Sequence, residues 1–203
     1  MTEVFSTTLT TPDGPFSLLA DSSGAVLASG WTDNLSELVA LIHASIRPQF
    51  TDILHWSGEG MDTTAGEEMA SATTKAIAVP TAEAKAVLEP LRAVVVDYYN
   101  GDLDAPRRTA VRQCSGEFRE HAWDVLRDVT PGMPITYTEF AARAGRPAAV
   151  RAAASACAMN AAALFVPCHR IVRSDGSLGG FRYGLEVKRS LLARESASLP
   201  GGE

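Results

Sequence analysis

Cysteine is scarce in this 203-residue chain. The first 113 residues have none, and the rest contains Cys114, Cys157 and Cys168. Three cysteines form neither an even disulfide framework nor the ligand spacing of a metal site. Only His43 and His55 precede Cys114 as strong nitrogen ligands, so a tetrahedral zinc site there is not expected. We therefore expect no metal, no cofactor and a reducing compartment.

Long apolar runs are also missing. No stretch approaches the roughly 18 residues that span a bilayer, and the start Met1-Thr2-Glu3-Val4 lacks a basic segment followed by an apolar one. The hydrophobic and charged fractions, 46% and 21%, are typical of a globular protein. We expect a cytoplasmic protein without a membrane partner, folded as one domain or two small ones.

Basic residues are few in the first half of the chain. Residues 1–99 hold 4 Lys and Arg against 13 Asp and Glu, whereas residues 100–203 hold 14 against 11. All but one of those 14 are arginine. An acidic first half and an arginine-rich second half are expected when only one domain meets phosphate. The arginine excess is equally compatible with a GC-rich genome.

The first half has the pattern of an α/β scaffold. Three short apolar runs between Thr7 and Gly30, separated by turn residues, predict a β-meander. Helical spacing predicts a helix over 35–46 and another from an N-cap at Thr81 to about Asn100. Residues 57–74 have no periodicity and predict a loop, and residues 76–79 predict a strand that Pro80 ends.

The second half predicts mostly helices. A short strand is expected at 110–111, then a helix capped by Ser115 that ends at the turn 131–134. Two helices over 136–144 and 148–159 flank Gly145-Arg146-Pro147, with Pro147 expected at the first helical position. This arrangement is a helix-turn-helix candidate, although any helical hairpin gives a similar pattern. The second helix is rich in alanine and carries Arg151 on its exposed face.

The most informative stretch is Val166-Pro167-Cys168-His169-Arg170. Pro167 should end a strand over 164–166 and leave Cys168 on a turn, because proline cannot donate a ladder hydrogen bond. A neighbouring imidazole can lower the thiol pKa and generate the nucleophilic thiolate. The alternative is an inert buried cysteine beside a surface histidine.

The sequence Pro-Cys-His-Arg-Ile-Val, the glycines that follow it and the segment 188–195 resemble the O6-alkylguanine-DNA alkyltransferase family. The resemblance covers about Glu117 to Glu195. It implies a ribonuclease-H-like α/β first domain and a mostly α-helical, winged helix-turn-helix-like second domain. The polar, turn-rich segment 100–106 predicts the linker between them, so the domains are expected over 1–99 and 107–203. The resemblance further implies stoichiometric, irreversible transfer of an alkyl group from guanine O6, and from thymine O4, in duplex DNA to Cys168 after nucleotide flipping.

The resemblance also implies a role for each site residue. His169 corresponds to the base for the thiol and Glu195 to the group that orients it, and Arg170 and Pro167 shape the turn. Asn160 holds the active loop, but Ala161 stands where the family commonly has proline. Tyr137 packs on the flipped nucleotide and can give a proton to the departing guanine, although it could equally be a core tyrosine.

For DNA the resemblance implies contact in the minor groove by the second helix. Arg151 would fill the place of the extruded nucleotide, with further contacts from Tyr137, Thr138, Arg146 and Ser174. The segment 181–183 corresponds to the lid of the pocket, and its Arg182 and Tyr183 are bulkier than the residues often found there.

Three other functions remain open. A lesion-binding protein without repair would lack the cysteine, which is present here as Cys168. A cysteine hydrolase would turn over many times and would leave the Arg151 helix unexplained. A helix-turn-helix regulator would need an effector or dimerisation segment, and none is evident. We expect a monomer, with clustering on DNA left open.

Overall fold

The computed structural model describes residues 3–56 and 82–197. Its main sheet has four strands in the order β3-β2-β1-β4, formed by β1 (Val4–Thr11), β2 (Gly14–Asp21), β3 (Val26–Gly30) and β4 (Ile53–His55). The predicted meander is confirmed, because β1 pairs antiparallel with β2 and β2 with β3. The fourth strand, β4, joins the outer edge of β1 in parallel.

Two helices accompany this sheet, α1 (Leu35–Leu41) and α2 (Ala82–Tyr99). The predicted extension of the first helix to Ile46 is wrong: Ile42 adopts an extended conformation and is buried, and the chain turns away there. The second helix follows its apolar stripe, which buries Leu88, Leu91 and Val95. The predicted loop at 57–74, the strand at 76–79 and the Thr81 cap lie outside the described residues.

The second half is mostly helical and contains α3 (Glu117–Arg127), α4 (Tyr137–Arg143), α5 (Val150–Ala158) and α6 (Leu185–Ala197). Two short strands, β5 (Ile135–Thr136) and β6 (Ile171–Val172), pair in parallel. Thr136 begins α4 through a reciprocal capping box with Glu139, which satisfies two helix-terminal N–H groups. Helices α4 and α5 are the two helices that the spacing predicted around Gly145.

Four local predictions in this half are wrong. Val111 forms only an isolated bridge to Val26, so no strand exists at 110–111. Gly116, and not Ser115, is the N-cap of α3, because the Ser115 hydroxyl accepts a hydrogen bond from Arg119 instead. Pro147 lies in the turn before α5, which begins only at Val150.

The fourth wrong prediction is the strand over 164–166. These residues form a turn in which the Val166 N–H donates to the carbonyl of Ala162. Leu164 adopts a left-handed conformation with φ of 76°, which is rare for a branched residue and costly outside a packed setting. The turn closes against the edge of the main sheet, where Ala162 bridges Ser29.

One buried hydrophobic cluster runs through both halves of the chain. It includes Phe5 and Leu88 from the first half and Trp123, Phe140 and Leu191 from the second. The turn that carries Cys168 therefore rests on packed side chains from both halves. In the described parts of the chain, no helix has the length and apolar character needed to cross a membrane.

Candidate active site

Cys168 opens a single 3-10 turn, Cys168–Arg170, immediately before β6. Pro167 precedes this turn and is buried, with φ of −81° and ψ of 63°. The backbone N–H of Cys168 donates to the carbonyl of Val166. The half-buried thiol faces a cavity, while the next two side chains, His169 and Arg170, are buried on the other side.

Asn160 connects the loop to the thiol. Its amide nitrogen Nδ2 lies 2.8 Å from the carbonyl of Val166 and 3.2 Å from Cys168 Sγ, so it donates to both. Its Oδ1 accepts from Gln113 at 3.0 Å and from the Ala162 N–H at 3.1 Å. Because every polar atom of this buried amide is engaged, its orientation toward the sulfur is fixed.

Behind the thiol, Glu195 accepts hydrogen bonds from both residues that follow Cys168. His169 Nε2 lies 2.9 Å from Glu195 Oε1, and the guanidinium of Arg170 reaches the same carboxylate with Nε and Nη2 at 2.9–3.2 Å. Tyr98 donates its hydroxyl to Oε1 at 3.0 Å. Since a carboxylate only accepts, the proton of the imidazole resides on Nε2, and Nδ1 keeps its lone pair.

Burial dominates the electrostatics of these groups. It raises the pKa of the Cys168 thiol, against the opposing hydrogen bond of Asn160 and the positive charge of Lys188. Burial also lowers the pKa of His169, although Glu195 opposes this shift. For Glu195 burial favours the neutral acid, but the contacts of His169 and Arg170 outweigh it and hold the carboxyl pKa well below its usual range. At rest the site therefore holds a thiol, a neutral imidazole and a carboxylate.

The cavity in front of Cys168 has a volume of about 330 Å³. Tyr137, the first residue of α4, forms one wall, and burial raises its pKa to about 12. Gly179 has φ of +67°, and a Cβ there would lie 3.2 Å from the Tyr137 ring, so glycine allows this close approach. The remaining lining comes from α5, the Asn160 loop and the segment 180–183.

The other predicted DNA-contacting residues lie on the surface and not in the cavity. Thr138 on α4, Arg146 in the inter-helix turn, Arg151 on α5 and Ser174 are all exposed. The guanidinium of Arg146 stacks 4.9 Å from the Phe118 ring centroid. Arg151 makes no hydrogen bond or ion pair with any of residues 3–56 and 82–197, so its long side chain is available to a partner.

Two groups at the site were missed by the sequence reasoning. Gln113 supports Asn160 and also accepts from the Ala161 N–H at 2.7 Å, and Tyr98 reaches Glu195 from α2. Tyr98 lies on the buried apolar face of α2, where a hydroxyl needs a hydrogen-bond partner, and that need was the available signal.

Residues 117–197 match the family model described as 6-O-methylguanine DNA methyltransferase, DNA binding domain. This segment contains α3 to α6, the Cys168 turn and Glu195. Residues 117–197 are thus similar to the DNA-binding domain of that family. The resemblance that the sequence suggested is thereby confirmed for the segment on which it rested.

Individual relatives agree with this assignment. The bifunctional transcriptional activator and DNA repair enzyme Ada of Escherichia coli is 47% identical over 79 residues, which are 39% of this chain and 22% of Ada. A methylated-DNA–protein-cysteine methyltransferase of Kluyveromyces lactis is 39% identical over 111 residues, 54% of this chain and 59% of that protein. The chain thus spans about a fifth of the first relative and about three fifths of the second.

The whole fold also has a solved counterpart. The crystal structure of the Mycobacterium tuberculosis O6-methylguanine methyltransferase superposes with a TM-score of 0.67 and 21% identity, covering 98% of this chain and 97% of that one. The chain therefore shares the two-part architecture of that protein, an α/β first half and a helical second half.

Proposed function

We propose that this protein repairs DNA by transferring the alkyl group of O6-alkylguanine, and of O4-alkylthymine, from duplex DNA to Cys168 Sγ. The observation that carries the proposal is the position of the Cys168 thiol. It lies at a cavity, receives a hydrogen bond from Asn160 and is followed directly by a buried His169–Glu195 pair, all within the segment that matches the family's DNA-binding domain.

The cavity suits an extruded nucleobase. Its volume of about 330 Å³ is at the lower end of the roughly 300–1,000 Å³ of ligand pockets. An alkyl carbon on guanine O6 is shielded inside the base stack, so the nucleotide must leave the duplex before a thiol can reach it. Tyr137 presents its ring to the cavity, where an aromatic face can pack on a base.

Within the pocket, the reaction is a single displacement. The Cys168 proton passes to His169 Nδ1 through a water molecule, because Nδ1 has no hydrogen-bond partner among the described residues, while Glu195 holds the Nε2–H in place. Sulfur then bonds to the alkyl carbon, and the bond between that carbon and guanine O6 breaks with its electron pair moving to the base. Tyr137 donates its phenolic proton to the departing guanine, and that proton is afterwards restored from the imidazolium through solvent.

A base is needed because the resting thiol is protonated. Burial raises the pKa of Cys168, so few molecules hold a thiolate until DNA binds and the proton moves. Asn160 donates to Sγ and favours the developing thiolate. The thioether product has no leaving group that water can displace under mild conditions, so each protein molecule reacts once.

For the DNA complex we propose that α4 and α5 act as a helix-turn-helix within a winged-helix-like domain over 107–203. The alanine-rich face of α5 would enter the minor groove, with Arg151 filling the space of the flipped nucleotide. Thr138, Arg146 and Ser174 would contact the backbone, where affinity depends on phosphate and not on sequence. Residues 1–99 would form a ribonuclease-H-like domain joined by the linker 100–106.

We further propose that the protein acts as a cytoplasmic monomer without a metal or cofactor. All three cysteines are free thiols, which fits a reducing compartment. The proposed chemistry uses only side chains of this protein and the alkylated base.

The direct test incubates the protein with duplex DNA that carries radiolabelled O6-methylguanine. Label should move to the protein, and Cys168→Ser should abolish transfer while retaining DNA binding. The matched control is Cys114→Ser, because Cys114 lies outside the cavity and should be dispensable. Retained label transfer in Cys168→Ser, or binding that depends strongly on DNA sequence, would instead support another acceptor or a regulatory protein.

A further inference from the structure

The segment Phe181–Tyr183, here termed the lid segment, forms part of the cavity wall and is held from two directions. On one side it is attached to the helix proposed to enter DNA. Arg182 Nη2 lies 2.5 Å from the carbonyl of Ala158, the last residue of α5, and so caps the C-terminal end of that helix. Movement of the lid segment away from the cavity therefore requires loss of this charged hydrogen bond.

On the other side the lid segment rests on the main sheet. The Tyr183 hydroxyl donates to the carbonyl of Ser29 in β3 at 3.2 Å. The Tyr183 ring lies directly over Gly30, where an added Cβ would stand 2.0 Å from both Cζ and the hydroxyl oxygen. Only glycine at position 30 permits this contact, because any side chain there would displace the ring.

Trp31 also holds the lid segment by contacts with two of its rings. Its ring centroid lies 6.0 Å from that of Phe181 and 5.7 Å from that of Tyr183, and the latter two are 5.6 Å apart. The three rings form a mutually tilted cluster of the kind that stabilises aromatic packing. Trp31 is itself fixed, because its Nε1 donates to the Tyr99 hydroxyl at 2.9 Å, and that hydroxyl donates to Asp13 at 2.8 Å.

We propose that Gly30 and Trp31 are positioning residues that set the largest alkyl group the protein accepts. Both lie outside residues 117–197, and neither lines the cavity. Gly30 and Trp31 act through the lid segment. While the rings of Phe181 and Tyr183 are held against β3 and Trp31, the cavity cannot widen beside Cys168. The inference rests on the proposed alkyl transfer and identifies the substrate class as small, methyl-like adducts.

The size of the alkyl group decides whether the lid segment must move. A methyl group adds little to the flipped base, so its transfer does not require the lid segment to move. A benzyl group adds a second ring, and in a close-packed wall that ring needs space that only displacement of Phe181 or Tyr183 can supply. Displacement of either ring would break the aromatic cluster, and displacement of Tyr183 would also break its hydrogen bond to Ser29. Binding of the benzyl group must offset the free energy of these lost contacts.

The test compares transfer rates from two duplexes of identical sequence, one with O6-methylguanine and one with O6-benzylguanine. Trp31→Ala removes the ring that holds the lid segment, and the space left by the indole lets the rings of Phe181 and Tyr183 move away from the active-site cavity. Gly30→Ala pushes the Tyr183 ring off the strand by adding a methyl group. In both variants the benzyl-to-methyl rate ratio should rise about tenfold, the order expected for losing two aromatic contacts. Tyr183→Phe, which loses only the Ser29 hydrogen bond, should raise it less.

Trp56→Ala is the matched control. Trp56 is likewise buried in the first half, but its ring lies under the Arg92 guanidinium and is not one of the three rings of the lid cluster. This variant should lower stability without changing the rate ratio. Gly30→Ala and Tyr183→Phe keep the test informative if Trp31→Ala does not fold.

The outcomes separate the two proposals. Intact methyl transfer with an unchanged ratio in Gly30→Ala and Tyr183→Phe would overturn the role of the pinned lid alone. An equal loss of both transfers would overturn it as well, since that is the effect of general damage to the fold. Absence of methyl transfer by the unaltered protein would overturn the proposed function, and this inference with it.

Discussion

At the scale of single residues, the site combines a half-buried thiol with groups that favour its anion. Burial raises the pKa of Cys168, and the hydrogen bond of Asn160 and the charge of Lys188 oppose that effect without cancelling it. Lys188 is itself fully buried and donates to the carbonyl of Ile171 at 2.6 Å. A thiol kept neutral until a base accepts its proton is protected from adventitious electrophiles between DNA encounters.

Tyr98 offers a test of the buried network. Tyr98→Phe removes one donor from the Glu195 carboxylate, which then attracts the proton of His169 more strongly. We expect transfer to slow about tenfold or more, because the lost hydrogen bond is one to a charged carboxylate, worth about 1.5 kcal/mol or more. The acid limb of the pH–rate profile should also move to higher pH, and single-turnover rates between pH 5 and 9 would show it.

The control for that experiment is the neighbouring Tyr99→Phe. Tyr99 bonds Trp31 and Asp13 and does not reach Glu195 directly. Tyr99→Phe should leave the acid limb of the pH–rate profile at its original pH. The same displacement of the limb in both variants would mean that Tyr98 acts on overall stability and not on the His169–Glu195 pair.

At the scale of elements, the sequence predicts regular segments well and irregular ones poorly. The meander follows from short apolar runs between turn residues, α2 from apolar periodicity, and α4 from the helical spacing before Gly145. The strand expected over 164–166 fails because three apolar residues before a proline fit a buried turn as well as a strand. A tertiary contact favours the turn over the strand. The Ser29 carbonyl accepts a hydrogen bond from the Ala163 N–H at 3.1 Å, and the Ser29 N–H donates to the Ala161 carbonyl at 2.8 Å.

The central prediction for helix α5 concerns Arg151. If its side chain occupies the space of the extruded nucleotide, Arg151→Ala should slow methyl transfer from duplex DNA by about a hundredfold, since unstacking costs a few kcal/mol and arginine offsets part of it. Transfer from the free base O6-methylguanine, which needs no flipping, should change little. Both rates can be followed by the appearance of methylated protein.

Arg189→Ala is a matched control, because Arg189 is an exposed arginine on α6 that pairs with Glu186. It should affect neither reaction strongly. Equal losses with duplex and free base in Arg151→Ala would show that Arg151 supports the fold or the thiol chemistry. They would contradict the proposed position of α5 in the minor groove.

At the scale of the whole molecule, the first half of the chain contributes directly to the site. Ser29 holds the Asn160 loop, Tyr98 reaches Glu195, and Trp31 packs on the lid segment. None of these contacts could be derived from the sequence, because each joins residues more than 90 positions apart. The Cys168 motif could be recognised in the sequence because its residues are neighbours in the chain. The residues that support it could not, because only folding brings them together.

The buried pair also predicts how stability depends on pH. The folded-state pKa values of His169 and Glu195 both lie below their ordinary values of 6.5 and 4.5. The unfolded chain therefore binds more protons as the pH falls. Stability should be lost below about pH 6.5 through His169 and through His55, whose pKa burial also lowers, and further below about pH 4.5 through Glu195.

Urea unfolding at pH 7.5, 6.0 and 5.0 measures this dependence. His169→Gln should partly flatten the loss of stability between pH 6.5 and 5.0, since it removes one of the two histidines that take up a proton on unfolding. His121→Gln is the matched control, because His121 is exposed on α3, and it should keep the slope of the unaltered protein. A slope that His169→Gln does not change would show that other groups carry the proton uptake.

The most direct measurement is the number and position of methyl groups that the protein acquires. The protein is incubated with a large excess of duplex DNA containing O6-methylguanine and is then examined by intact mass spectrometry and peptide mapping. We expect one methyl group per chain, on Cys168, with no further DNA repaired once every chain has reacted. Continued repair beyond one methyl per protein, or methylation of Cys114 or Cys157, would contradict it.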